Sequence, residues 1–270
     1  MGMNMATASN IHSLLERVLP PAVSPAPARF GRRQRLFNGV GLPSQDDDSA
    51  LVERLELADQ PHALYAELRQ RALRGEPAAL NDLGWIWLNG RYWRADPLLA
   101  GHLLRMAAQQ GSATAWYNLG QQYYFGKGVE ISYAIAAGYY RQAFERGMGH
   151  AAAALGDLYE EEVCDGEQDW NVDSHVAYQW FLRGAEQGEA RCRFEVGYRL
   201  LHGLHIEADA RGALHWLELA SAAGVVQAAE ELALHFRQHN AARARHWREQ
   251  ALELGGGHLG RTRNDDQLSS

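Results

Sequence analysis

The sequence predicts an all-α protein, an αα-hairpin solenoid, and three observations predict it. A Leu-Gly core recurs in "LNDLGWIWLNG" (80–90), "YNLGQQYYFGKG" (117–128) and "AALGDLYEEE" (153–162). Its glycines Gly84, Gly120 and Gly156 are spaced by 36 residues; Gly197 follows after 41, and Ala233 takes the place 36 residues later. A second glycine column, Gly75, Gly111, Gly147, Gly188 and Gly224, stands nine residues before each of these sites. An alanine column, Ala100, Ala136, Ala177, Ala213 and Ala244, stands eleven residues before the glycine that opens the next unit. Self-similarity at such a period marks stacked helical units that bury one shared core.

Each element follows from local chemistry. An extra helix pair is expected at 49–74: Ser49 caps residues 50–58, and Pro61 suits the first turn of a helix through Arg74. Five repeats follow, at 75–110, 111–146, 147–187, 188–223 and 224–254. Each reads as two helices. In the second repeat Ala115, Leu119 and Tyr123 recur at four-residue steps, which places one apolar stripe on the first helix. The second helices open at Asp96, Ser132, Asp173, Asp209 and Asn240. A side-chain oxygen there accepts from an orphan backbone N–H. Ala79, Ala115, Ala151 and Ala228 are small where helices must come close. The opening glycines suit the left-handed residue that ends the preceding helix.

The ends differ from this core. Residues 9–19, "SNIHSLLERVL", carry an i, i+3, i+4, i+7, i+8 stripe in Ile11, Leu14, Leu15, Val18 and Leu19, with Ser9 as cap. A stiff "PPAVSPAP" linker and the Arg29, Arg32, Arg33, Arg35 cluster complete a flexible segment at 1–48. The short helix is marginal alone, which leaves docking into the solenoid groove in cis or in trans, docking on a partner, a free tail or a targeting peptide. Residues 256–270 read as a disordered tail.

Composition narrows the function classes. A net charge of −7 argues against general binding to a nucleic-acid backbone; an anion or nucleic-acid site at Arg29–Arg35 would be steeply salt-dependent. No apolar run reaches the length of a membrane helix. Only Cys164 and Cys192 are present, so no disulfide framework is expected, and a cytoplasmic protein is the reading. No nucleophile elbow, phosphate-binding glycine loop or CxxC pair occurs. His235 and His239 share a helical face, but Phe236 stands where a metalloprotease helix needs glutamate. His202, His205, Glu207 and Asp209 are metal-binding types in an ordinary interhelical turn, with Asp209 already a cap. The expectation is therefore no enzyme, no cofactor and no metal.

One stretch breaks the repeat. "YEEEVCDGEQDWNVD" (159–173) carries seven acids and no lysine or arginine. Twelve residues separate Gly120 from Ser132, but seventeen separate Gly156 from Asp173, so the stretch is an interhelical linker enlarged by five residues. Asp165, Glu167 and Asp169 alternate without matching an EF-hand loop. A solvated acidic loop, a cation site and a dock for a basic partner stay open.

The pattern A-x-x-x-L-G-x-x-Y-x-x-G-x-G-V, followed by an aromatic pair and A-A-x-x-G, resembles Sel-one-like repeats, relatives of tetratricopeptide repeats. The second repeat carries it through Leu119, Gly120, Tyr123, Gly126, Gly128, Val129, Ala136, Tyr139, Tyr140, Ala143 and Gly147, and later repeats through Trp180-Phe181 and Trp216. The departures are the 41-residue third unit, the 31-residue fifth unit and Ala233 in place of glycine. The resemblance implies a right-handed superhelix and a scaffold or adaptor that holds a peptide or protein partner on its concave face. An inhibitor or immunity-type protein for one cognate partner would use the same surface. The hydrolase-linked members are rich in regularly spaced cysteines, which this chain lacks.

At 100° per residue, one column of the first helices lies opposite the alanine-leucine stripe. It holds Asn81, Trp85, Tyr117, Gln121, Asp157, Phe194 and Tyr198. Aromatic and hydrogen-bonding groups exposed together suit a recognition surface, and these seven are the expected partner-binding residues. The alternative is that they pack against the next repeat.

Overall fold

The computed structural model describes residues 5–21, 51, 61–90, 93–160 and 170–255. Helix α1 is Met5–Val18 and α2 is Pro61–Leu73. The repeats follow as α3 (Pro77–Asn89) with α4 (Pro97–Gln109), α5 (Ala113–Tyr124) with α6 (Tyr133–Glu145), and α7 (His150–Glu160) with α8 (Ser174–Glu186). Two more are α9 (Ala190–His202) with α10 (Ala210–Ala222), and α11 (Val226–Phe236) with α12 (Ala241–Glu253). No strand occurs among the described residues. The fold is a repeat solenoid of helix hairpins. Helices α3 with α4, α5 with α6, α9 with α10 and α11 with α12 make its most extensive contacts. The chain divides into two compact units, residues 1–151 with 162–171, and 152–161 with 172–270.

The repeated polar residues act where the sequence places them. Asp96, Ser132, Asp173, Asp209 and Asn240 each accept a backbone N–H from the first turn of the helix that follows. Gly75, Gly111, Gly147, Gly188 and Gly224 all have φ between 80° and 95°, the left-handed conformation that ends one helix and starts the next hairpin.

The Leu-Gly glycine has a different task. A Cβ on Gly84 would lie 2.7 Å from Leu104, on Gly120 2.5 Å from Tyr140, on Gly156 2.4 Å from Phe181 and on Gly197 2.8 Å from Leu217. In each of these four hairpins a large side chain of the second helix therefore rests on bare backbone of the first. The two alanine columns sit beside this contact; Ala79, Ala115, Ala151, Ala228, Ala100, Ala136, Ala177 and Ala213 are fully buried. Cys192 takes the first column's place in the fourth repeat and is equally buried.

Hairpin closure is also repeated. Backbone N–H groups of the caps Asp96, Ser132, Asp173 and Asp209 donate to Trp87, Tyr123, Tyr159 and Leu200 carbonyls at 2.9, 3.1, 2.9 and 3.0 Å. The third repeat thus closes with the same bond as its neighbours despite its longer linker. Residues 161–169, with Cys164, Asp165, Glu167 and Asp169, lie outside the described residues, as do Ser49, the cluster Arg29–Arg35 and the tail 256–270.

In the first unit, α1 packs on α2. Leu15 and Leu19 are buried with Leu64, Tyr65 and Leu68 in one core. Pro20 O accepts from the Tyr65 hydroxyl at 3.0 Å, and Leu19 O accepts from the Arg69 guanidinium at 3.3 Å. These bonds satisfy carbonyls that a helix end otherwise leaves open. Leu14 and Val18, on the other side of the stripe, are exposed. The helix therefore docks in cis on α2, and it extends four residues further toward the N-terminus than the expected 9–19.

Candidate functional site

The first helices of adjacent repeats touch within each unit, α3 with α5 and α9 with α11. That contact sets the fate of the column facing away from each hairpin's own core. In the first unit Asn118 Nδ2 donates to Asn81 Oδ1 at 3.0 Å, and both amides are buried, 3% and 2% exposed. Gln121 Nε2 donates to the Tyr117 hydroxyl at 2.9 Å. The Tyr117 ring packs on Tyr140 at 5.2 Å and on His150 at 5.4 Å. The sole lysine, Lys127, donates to Asn89 Oδ1 at 2.7 Å and lies 5.3 Å from the Phe125 ring centre; burial pulls its pKa down. A cavity of about 450 Å³ opens between the starts of α3 and α5, lined by Arg71, Asn81, Asp82, Ser112 and Thr114 among others.

The second unit replaces amides with charges. Arg191 holds Asp157 through two parallel N–H bonds of 2.6 and 2.5 Å and lies 3.7 Å from Glu195. Arg199 holds Glu160 through Nε at 3.1 Å and Nη2 at 2.5 Å, and its Nη1 donates to the Glu195 carboxylate and backbone carbonyl. Its guanidinium also stacks 4.4 Å from the Phe181 ring centre. Five charged side chains thus join α7 to α9. Burial works against the charge on both arginines, but hydrogen bonds and charge from Asp157, Glu160 and Glu195 outweigh it and hold both pKa values above the ordinary one. Further along α9 an aromatic strip runs from Phe194 to Tyr198 at 5.7 Å and from Tyr198 to His202 at 4.4 Å. His202 Nε2 reaches Glu231 of α11 at 3.3 Å.

Of the seven expected residues, Asn81, Trp85, Tyr117 and Gln121 lie on first helices of the first unit and Asp157, Phe194 and Tyr198 on those of the second, but the expected exposure is corrected. Asn81, Trp85, Tyr117, Gln121 and Phe194 are buried, and Asp157 and Tyr198 are half-buried. The reason is contact with the next first helix, as at Asn81 with Asn118 and Asp157 with Arg191, and at Tyr117 also with Tyr140 of its own hairpin. What stays open in the second unit is Tyr198, His202 and Leu234, the last 49% exposed, beside Glu230 and Glu231. Leu234 holds in α11 the place that Tyr198 holds in α9. Sequence reading missed Arg191, Glu195, Arg199, Glu230 and Glu231, which a single helical wheel assigns to a flank. Their signal is a match of opposite charges across repeats, Asp157 with Arg191 and Glu160 with Arg199.

The remaining candidate groups among the described residues are accounted for by packing and turn geometry. Cys192 is fully buried against Gly184 and serves in packing; burial pushes its thiol well above its ordinary pKa, with Glu189 adding to the shift. No three His, Cys, Asp or Glu side chains converge to hold a metal among the described residues. His205 takes the left-handed place that Gly128 occupies in the second repeat, with φ 60° against 68°. No described helix is long and apolar enough to cross a membrane.

Comparison with known proteins agrees with this architecture. The Sel1 repeat model matches residues 77–112, 113–148, 149–189, 190–225 and 234–256. Over 132 residues the chain is 30% identical to protein NMB1327 of Neisseria meningitidis serogroup B, covering 48% of this chain but only 26% of that protein. A Sel1 repeat protein from Oxalobacter formigenes superposes with a TM-score of 0.63 at 23% identity, over 77% of this chain and 91% of that one. The Escherichia coli protein c5321, a protective antigen of uropathogenic strains with an SLR fold, gives 0.56 at 22% identity, over 93% and 54%. With five matched repeats spanning well over half of its length, the chain belongs to the Sel1 repeat family.

Proposed function

We propose that this protein is an adaptor, a non-enzymatic scaffold that holds a peptide or protein segment on the concave face formed by its first helices. Sel1 repeats generally serve as protein-interaction scaffolds, and that membership supports the class. The observation that carries the site is the open strip of Tyr198, His202 and Leu234, set on a base made rigid by the charge network of α7 and α9. Aromatic and aliphatic groups presented on rigid helices lose little entropy on binding. Arg191 and Arg199 are positioning residues: they lock the α7–α9 contact and so hold the strip in place. The scarcity of cysteine supports action in a reducing compartment, the cytoplasm.

Site-specific photo-crosslinking tests the reading. A benzophenone amino acid at Leu234 on the first-helix face is compared with one at Arg141 on the second helix α6, both exposed. Discrete adducts from Leu234 and none from Arg141 are expected in the native cell. Equal adducts from both, or adducts from Arg141 alone, would remove this face from the function.

A further inference from the structure

We infer that the first-helix face of the second unit takes an arginine-bearing peptide segment. This rests on the reading of that face as a docking surface and names the chemistry of its partner.

Charge carries the argument. Five carboxylates belong to this face, Asp157, Glu160 and Glu195 in the network with Glu230 and Glu231 on α11, against the guanidiniums Arg191 and Arg199 in the network and Arg237, exposed at the end of α11. Both network arginines are spent. Arg191 is paired with Asp157 through both terminal nitrogens and lies near Glu195, and Arg199 has its donors on Glu160 and Glu195 and its flat side on Phe181. Neither is left to attract an anion. Of the carboxylates, Glu231 meets only the edge of His202, and Glu230 makes no hydrogen bond or ion pair among the described residues. Five carboxylates against three guanidiniums leave a surplus of two negative charges, and Glu230 and Glu231 border apolar surface.

The same surface distinguishes arginine from lysine. Tyr198 offers a half-open ring and Leu234 an exposed aliphatic side chain next to free carboxylate oxygens. A guanidinium is planar and weakly hydrated, so it stacks on an aromatic face while its N–H fork bonds a carboxylate. An ammonium satisfies the charge but not the stacking. Opposite potentials also speed encounter, so binding weakens as salt rises.

Fluorescence anisotropy on the full chain tests this with four labelled peptides that share one leucine-containing frame and carry two arginines, two lysines, two glutamines or two glutamates. The arginine peptide is expected to bind saturably, the lysine and glutamine peptides several-fold more weakly, and the glutamate peptide not at all. The double substitution Glu230→Gln/Glu231→Gln is expected to weaken the arginine peptide about tenfold, the loss of charge-assisted bonds to one group. Leu234→Ser is expected to weaken every peptide that binds by the same factor, and circular dichroism verifies that both variants fold. If the glutamine or glutamate peptide binds as well as the arginine peptide, and Leu234→Ser reduces both, the arginine assignment falls while the docking face stands. If no peptide binds, or binding ignores both variants, the assignment falls; the crosslinking at Leu234 then decides the docking reading separately.

Discussion

Two ion pairs of the second unit have the same chemistry and different surroundings, and substituting methionine for each arginine separates burial from charge. Arg199 is 9% exposed at its side chain, against Glu160 at 30% and Glu195 at 14%. Arg243 is 48% exposed and its partner Glu218 42%. Methionine keeps most of the aliphatic stem but removes the guanidinium, which lies over Phe181 in Arg199 and over Phe236 in Arg243, so both variants lose the same kind of ring contact and differ in the burial of the pair. Arg199→Met leaves Glu160 and Glu195 short of their donors. Breaking a fully buried pair costs about 3–5 kcal/mol; here Glu160 reaches water and Glu195 keeps Arg191, so about 2–3 kcal/mol is expected. Arg243→Met breaks a solvated pair, and about 0.2–1 kcal/mol is expected. Urea unfolding followed by far-ultraviolet circular dichroism gives both values, and high salt should shrink the smaller one. Adding Glu160→Gln and Glu195→Gln to Arg199→Met should recover part of the loss, since the stranded charges are then gone. Equal costs for the two arginine variants would refute the claim that burial makes the α7–α9 network structural.

Three further outcomes follow from the packing. Gly156→Ala improves helix propensity by about 1 kcal/mol, but its Cβ would sit within 2.4–2.6 Å of three ring atoms of the fully buried Phe181; overpacking of about 1–3 kcal/mol should win, and thermal melts should show a lower midpoint. Leu15→Ala should cost about 2–3 kcal/mol, and Leu14→Ala, on the exposed side of α1, less than about 0.5 kcal/mol; equal effects would mean that α1 does not pack on α2. Burial raises the Tyr65 pKa from 10.0 to about 12, so the folded state holds a proton that the unfolded chain releases. This stability is whole below pH 10 and is lost as pH rises to about 12, roughly 2–3 kcal/mol in all; Tyr65→Phe should show a correspondingly shallower fall over that window.

Much of the solenoid was legible because its determinants are local and repeat. A cap works through its own first turn, and a left-handed glycine through its own φ. Asp96, Ser132, Asp173, Asp209 and Asn240 therefore start helices as their spacing implies, and the enlarged linker before Asp173 still closes on Tyr159. The candidate site was legible only as a face. Tyr117 and Gln121 look outward on a helical wheel, yet they are buried within the stack.

The sequence by itself determined the period, the helix starts and ends and the family, since each is written in residues a few positions apart. Only the tertiary structure decided which members of the outward column stay open and which residues pair across repeats. Asp157 meets Arg191 and Glu160 meets Arg199 at separations of 34 and 39 residues, and no local rule relates them. Their encounter is set by how closely one hairpin lies on the next, where bare Gly184 of α8 leaves room for the Cys192 side chain of α9.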